Sequence, residues 1–425
     1  YTSPVILEAI QLLPGTKSQV YQFPFDEPQD HLYPLVLFRQ DSDREPPVQV
    51  AVVPDTTEVR QALHSRPNSL YFAAGFEGAN GGESVSIPSP PVLSGYQLLT
   101  MEPSQTELKV AQTWQFQLAP DEQIILVQHK TDYEAVASLG RVLGNRSVLY
   151  KYLNPHLMVI ATVRPQDSHT VLSIYFIDTV SGALLHRAEH QDVLYDTRHP
   201  VHAILCENWV VYQYWWDGAT ATTTGKGRTS AYVTVTVELF ESDKPNVKTH
   251  DTVFSSFQNA GPHVVYRSFV LSEQVTALGV TTTRNGVATR ELVMSFASGR
   301  IITLPRSLVD PRRPQSDPND EEKQEGLARY EPLLPNNPRW TLSYHHQILG
   351  TQRITSSPAK LESTSLVLAY GLDIFFTRVN PSGTFDRLSD SFSKPLLLAT
   401  IITLVAGLLI ANPMVKRKNL LSAWA

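Results

Sequence analysis

Upstream of residue 310 one pattern of hydrophobic and polar positions repeats. A short run rich in β-branched and aromatic residues is ended by Gly, Pro, Asn or Asp, about every ten residues. YPLVLFRQD (33–41), QIILVQHK (123–130), HLMVIATVRP (156–165), VLSIYFID (171–178) and AYVTVTVELFE (231–241) are examples. This spacing predicts a mainly β protein, an antiparallel sandwich, barrel or propeller. The order continues past the middle of the chain, and LESTSLVLAYGLDIFFTRV (361–379) reads as strands rejoining the same domain.

Three turns favour a propeller. IDTVSGALLHR (177–187) reads as strand, Asp-x-x-Ser-Gly turn, strand, and SFASGRIITLP (295–305) and RVNPSGTFDRL (378–388) repeat the Ser-Gly turn. In the first, Asp178 is expected to accept from the turn's own backbone N–H groups, and Gly182 to supply φ > 0. A D-x-x-S/T-G hairpin recurs in blades of quinoprotein-like propellers. At four strands per blade, about sixteen runs predict roughly four blades, a partial ring in this fragment.

Two stretches read as short helices. DTTEVRQALHSR (55–66) offers Asp55 as N-cap and Glu58 at N3, an Asp version of the capping box, with Val59, Ala62 and Leu63 inward. TDYEAVASLGRVLG (131–144) brings Tyr133, Val136, Ala137 and Leu139 together. Both are expected as connectors on a propeller rim. The domain map is then β-blades with short helical connectors over 1–310 and a Pro-rich charged excursion over 311–340. Rejoining strands over 341–383 follow, then an amphipathic juxtamembrane segment over 384–394, a transmembrane helix over 395–415 and a tail over 416–425. The excursion, rich in Pro and charge, is expected to be extended with no core of its own.

The 21 residues between Lys394 and Lys416 carry no charge. As a helix they reach about 31 Å, close to the hydrocarbon core of a bilayer. Leu396, Leu397, Leu398, Ile401, Ile402, Leu404, Val405, Leu408, Leu409 and Ile410 supply the lipid-facing surface. Thr400, Thr403 and Gly407 are candidates for contact with a neighbouring helix, although a Thr hydroxyl can also bond its own backbone. The aliphatic part, 396–411, reaches only about 24 Å. Asn412-Pro413 then disfavours a continuing straight helix, so the span suits a thin bilayer. Just upstream, Phe385, Leu388 and Phe392 share one stripe of an amphipathic turn, as at a membrane interface.

Charge orients the span. Lys416, Arg417 and Lys418 follow it, which places the C-terminus in the cytosol and the β-domain in a lumen or outside the cell. Asn145-Arg-Ser is the one N-x-S/T sequon with x other than Pro, so Asn145 is a glycosylation candidate on that side. The chain carries 35 Lys+Arg against 41 Asp+Glu, and the basic residues upstream are scattered, which argues against nucleic acid as a partner. It begins at Tyr1, as a processed protein or the C-terminal part of a longer one would.

No catalytic, cofactor or metal site is expected. TTGKGRTS (223–230) has Gly227 where a phosphate loop needs Ser or Thr. His186 and His190 have a helical ligand spacing but follow a strand, and His345 and His346 would point to opposite faces. Cys206, the single cysteine, sits in an apolar run and is expected to be buried on a strand. The span has no ionisable residue, which argues against a conduction path.

Several blocks resemble the family of subunit one of the endoplasmic reticulum membrane protein complex. They are RVLGNRSVLYKYLNPHLMVIAT (141–162), PVHAILCENWVVYQYW (200–215), LPRSLVDPRRP (304–314), SSPAKLESTSLVLAYGLDIFFTRVNPSGTFDRL (356–388) and the ending KNLLSAWA. The resemblance covers nearly the whole chain and points to that subunit's C-terminal half. It implies lumenal β-propellers, one C-terminal span and residence in the ER membrane. It also implies a non-catalytic scaffold supporting insertion of tail-anchored and N-terminal first segments and biogenesis of multipass proteins. Implied partners are the other subunits, client membrane proteins and the lipid bilayer. No catalytic residue is carried over. Two other readings are a single-pass lumenal cargo receptor and a membrane-tethered quinoprotein-like enzyme. The latter would need calcium ligands and a quinone-stacking site.

Overall fold

A computed structural model describes residues 17–22, 35–40, 48–53, 56, 59–60, 71–76, 92–99, 109–119, 121–130, 134–166, 169–218, 230–249, 254–258, 261–335, 337–386 and 392–424. The chain forms two units, 1–381 and 382–425.

The first unit is a succession of antiparallel sheets. The first holds β1 (Lys17–Gln22), β2 (Leu35–Gln40) and β3 (Val48–Val53), the second β4 (Tyr71–Phe76), β5 (Val92–Leu99) and β6 (Lys109–Gln117). The third starts at β7 (Gln123–His129). A small hairpin, β8 (Gly140–Val142) and β9 (Val148–Tyr150), intervenes before β10 (Leu157–Gln166), β11 (His169–Asp178) and β12 (Leu184–His190) complete it. The fourth contains β13 (Val193–Leu194), β14 (His202–Cys206), β15 (Trp209–Asp217), β16 (Ser230–Phe240) and β17 (His263–Leu271). The fifth is β18 (Val275–Val280), β19 (Leu292–Phe296) and β20 (Ile301–Leu304), and the sixth β21 (Thr351–Pro358), β22 (Ser365–Gly371) and β23 (Ile374–Val379). Among the described residues, six sheets of three to five strands stand where roughly four blades were expected. The error came from assuming four strands everywhere and from passing over strands as short as Val193–Leu194.

The core lies between successive sheets, and the central strands show why. Met158 and Ile160 pack with Leu93 of the second sheet, while Val159 and Ala161 pack with Val210 and Tyr212 of the fourth. Val211 turns the other way, onto Leu292 and Met294 of the fifth sheet, and Val293 faces Val367 and Ala369 of the sixth. Side chains alternate across a strand, so a strand sandwiched on both faces must be apolar at every position. LMVIA and the LVM of β19 are such runs, with Ser295 the one polar residue of β19, and burial of each large aliphatic side chain is worth about 1.5–3 kcal/mol. The opening strands β7, β14, β18 and β21 pack against one another in order, as inner strands of blades do.

The Asp178 turn forms as expected. Asp178 Oδ1 accepts from the N–H groups of Val180 at 2.9 Å and Ser181 at 3.0 Å, and Gly182 has φ +72°. A Cβ at Gly182 would lie 2.6 Å from the Trp114 ring, whose Nε1 donates to the Thr179 carbonyl at 2.8 Å. Gly299 and Gly383 also have positive φ. The third Ser-Gly turn differs in place: it follows β23, and no described strand comes after it.

Three further expectations change, and one falls largely outside the described residues. Residues 134–144 are not helical; the described part is irregular and then enters the β8–β9 hairpin. Gly140 and Gly144 disfavour a helix, and the Glu134 carboxylate accepts from the Glu207 N–H. In the 55–66 stretch the visible cap is Thr56, whose hydroxyl accepts from the Val59 N–H at 3.3 Å; Asp55, Glu58, Ala62 and Leu63 lie outside the described residues. The 311–340 excursion packs back onto the fourth sheet: Leu333 bridges Val270, and Leu334 joins the core beside Phe269. Its short helix α1 (Asp320–Gln324) begins with a complete Asn319–Glu322 capping box. Finally, α2 (Lys394–Trp424) runs through Pro413 without ending. Proline removes one backbone donor, but a long helix with good formers on both sides absorbs that loss.

Candidate functional site

Eleven charged side chains meet in the first unit. Glu207 sits at the β14–β15 turn, where its backbone takes φ +47°. Its Oε1 accepts from Arg290 Nε at 2.9 Å, and its Oε2 accepts from Lys151 Nζ at 2.8 Å and lies 3.6 Å from Arg306 Nη1. Arg290 also reaches Glu134 at 3.2 Å and the Ala135 carbonyl at 3.1 Å, and Lys130 lies 4.0 Å from Glu134. Arg306 continues the chain by donating to Glu238 at 2.6 Å. Arg141 lies 3.7 Å from Glu238 and also donates to Asp310. Arg312 stands 3.5 Å from Asp310 and donates to Glu325 at 2.8 Å, and Glu325 accepts from the Gly144 N–H at 3.0 Å.

These residues come from the ends of strands in three successive sheets, from the β8–β9 hairpin and from the 310–325 segment. Strand ends are where backbone pairing stops, so long charged side chains can turn inward and meet across the gap between blades. Burial alone would neutralise such groups, and only mutual pairing keeps them charged. Burial pushes Glu207 up, yet Lys151, Arg306 and Arg290 together outweigh it and hold its carboxyl at about 2. Glu238 is likewise held low against its burial by Arg306 and Arg141. Asp310 goes the other way, raised by burial and by Glu238 beside it. Lys151 is lowered by burial because it has one carboxylate where Glu207 has three cations.

The network borders a cavity of about 280 Å³. Arg141, Lys151, Arg290, Arg306, Arg312, Glu207 and Glu325 line it, with the Gly286–Thr289 loop at its edge. Of these, Arg306 and Arg312 carry a buried Nε–H without a hydrogen bond.

The residues singled out from the sequence fall elsewhere. Asn145 is exposed on the β8–β9 turn, and its Oδ1 accepts from the Ser147 N–H at 3.0 Å. Cys206 is buried at the end of β14, and burial raises its thiol far above the usual range. His186 and His190 lie on β12; His186 meets the Phe176 ring edge. His190 lies between two phenols, its Nε2 2.7 Å from the Tyr212 hydroxyl and its Nδ1 3.1 Å from that of Tyr214. Burial lowers its ring to about 4, so it is neutral at pH 7. Among the described residues no three His, Cys, Asp or Glu groups come together as metal ligands. Residues 223–229 lie outside the described residues.

In the second unit, Lys394–Asn419 is the one helix among the described residues long and apolar enough to cross a membrane. Leu396, Leu397, Leu398, Ile401, Ile402, Leu404, Val405, Leu408, Leu409 and Ile410 are all exposed on it. The hydroxyls of Thr400 and Thr403 donate to the carbonyls of Leu397 and Ala399, at 2.7 and 2.8 Å, within their own helix. A Cβ at Gly407 would meet nothing. Lys416, Arg417 and Lys418 lie on the same continuous helix rather than beyond its end. Phe385 and Phe392 are exposed, and Leu388 lies outside the described residues.

The charged cluster was not anticipated from the sequence. Its signal was present: charges at 141, 151, 207, 306, 310 and 312 interrupt otherwise apolar blocks. Residues 2–382 match the family model described as ER membrane protein complex subunit 1, second beta-propeller. ER membrane protein complex subunit 1 of Xenopus laevis is 37% identical over 400 residues, covering 93% of this chain and 36% of that protein. The Gallus gallus protein of that name is 33% identical over 399 residues, covering 93% and 37%. The Schizosaccharomyces pombe protein is 34% identical over 312 residues, covering 73% and 34%. The chain thus spans little more than a third of the length of these relatives.

Proposed function

The chain belongs to the ER membrane protein complex subunit 1 family, and from that premise we propose that it is a non-catalytic lumenal scaffold of the complex in the ER membrane. It supports insertion of tail-anchored and N-terminal first segments and biogenesis of multipass proteins. α2 anchors it once in the bilayer, with the β-propeller lumenal and the basic end of the helix cytosolic. Its partners are the other subunits, client membrane proteins and lipid.

The observation that carries this reading is the family match over 2–382 joined to one helix whose uncharged stretch, 395–415, is about 31 Å long. The side-chain chemistry supports it. The most polarised groups are spent on one another across blades, Cys206 is held as a thiol, and His190 is neutral between two tyrosines. Such groups hold a framework rather than attack a substrate. Membranes depleted of the protein should insert tail-anchored segments poorly, and resupply of the full-length protein should restore insertion. Undiminished insertion after depletion would refute the scaffold role.

A further inference from the structure

The charges around the cavity do not cancel. Five cationic and two anionic side chains line it, a surplus of three positive charges at the wall. Glu134, Glu238 and Asp310 stand behind that wall, as does Lys130, so the whole cluster has six cations facing five carboxylates. The cluster therefore carries one net positive charge among side chains that are mostly buried. Every cation has a carboxylate beside it, but the pairing leaves a net positive charge at a wall with little solvent around it, which an anion from solution would neutralise.

The unfilled donors point the same way. Arg306 and Arg312 each line the cavity with a buried Nε–H that makes no hydrogen bond; that of Arg312 stands 3.5 Å from Asp310 Oδ1, as an ion pair. An unsatisfied buried donor is destabilising, and a ligand acceptor removes that penalty. A tetrahedral group with several oxygens can accept from two guanidinium groups at once, in the forked geometry that arginine favours with phosphate. A cavity of about 280 Å³ is small for a ligand pocket but has room for one or two phosphate groups.

We propose that this cavity is a binding site for a small phosphate-bearing anion, held by Arg306 and Arg312 with Arg141 at the mouth. The bound anion ties the β8–β9 hairpin, the end of β20 and the 310–325 segment together. It does so independently of the scaffold reading, since binding is measured on the isolated full chain.

The test uses the full chain in detergent, with inorganic phosphate and pyrophosphate as probes and chloride and acetate at matched ionic strength as controls. Phosphate or pyrophosphate should raise the melting temperature saturably, and line broadening of the pyrophosphate ³¹P signal should report the same affinity. Arg312→Gln and Arg141→Gln should each weaken binding roughly tenfold or more, with Arg312→Lys intermediate. Arg329→Gln, at an exposed pair with Asp317 away from the cavity, should leave it unchanged. The ³¹P readout serves variants whose melting temperature is already lowered. No saturable binding, equal effects of acetate, unaltered binding by both cavity variants, or equal weakening by Arg329→Gln would each overturn the proposal.

Discussion

Glu207→Gln is the most informative single change. The amide keeps the shape of the carboxylate but removes the charge that Lys151, Arg290 and Arg306 share. In the folded chain the carboxyl is held at about 2 against an ordinary value of 4.5. That difference corresponds to roughly 3 kcal/mol of stability at pH 7. The sign follows from the depressed folded value: the stabilisation is complete well above pH 4.5 and fades as pH falls toward 2. At pH 3 only about 1.4 kcal/mol remains. Taking the 1–381 unit as one cooperative body, the neutral-pH loss lowers the melting temperature by roughly 4 °C. Melting curves of the full chain in detergent, wild type against Glu207→Gln, should therefore show a gap at pH 7 that narrows by more than half at pH 3. No gap at pH 7, or one that stays constant through acid, would refute the claim that this carboxylate holds the blades together electrostatically.

Gly182→Ala places a Cβ at φ +72° and 2.6 Å from the Trp114 ring, and should cost roughly 2 kcal/mol or more by denaturant unfolding. Asn145→Gln should raise electrophoretic mobility by one glycan step if the exposed β8–β9 turn faces the lumen, and endoglycosidase should then have no further effect on the variant. Four leucines added within 396–411 lengthen the span by about 6 Å. They should impair client insertion in microsomes while leaving subunit assembly intact, because a short span suits a locally thin bilayer.

The features legible in the sequence were those with local causes. The Asp178 turn needs only an acceptor, two N–H groups and a glycine within five residues. The apolar helix declares itself by composition, because burial in lipid is set residue by residue. Blade number was less legible, since β13 and β20 are too short to show a period. TDYEAVASLGRVLG misled because Val136, Ala137 and Leu139 fit a helix, while the forces that decide the segment, Arg290 on Ala135 and Glu207 on Glu134, come from far along the chain. The cluster was hidden for the same reason. Arg141 and Asp310 are 169 positions apart, and nothing in either neighbourhood indicates the other. The blocks 141–162, 200–215 and 304–314, which carry the family resemblance, contribute Arg141, Lys151, Glu207, Arg306, Asp310 and Arg312 to it.

The scaffold account is tested most directly by the native mass of the protein. Solubilised from ER membranes in mild detergent, the full-length protein should run as a large particle with several other membrane proteins at fixed stoichiometry. A lone monomer with no stoichiometric partner would contradict it.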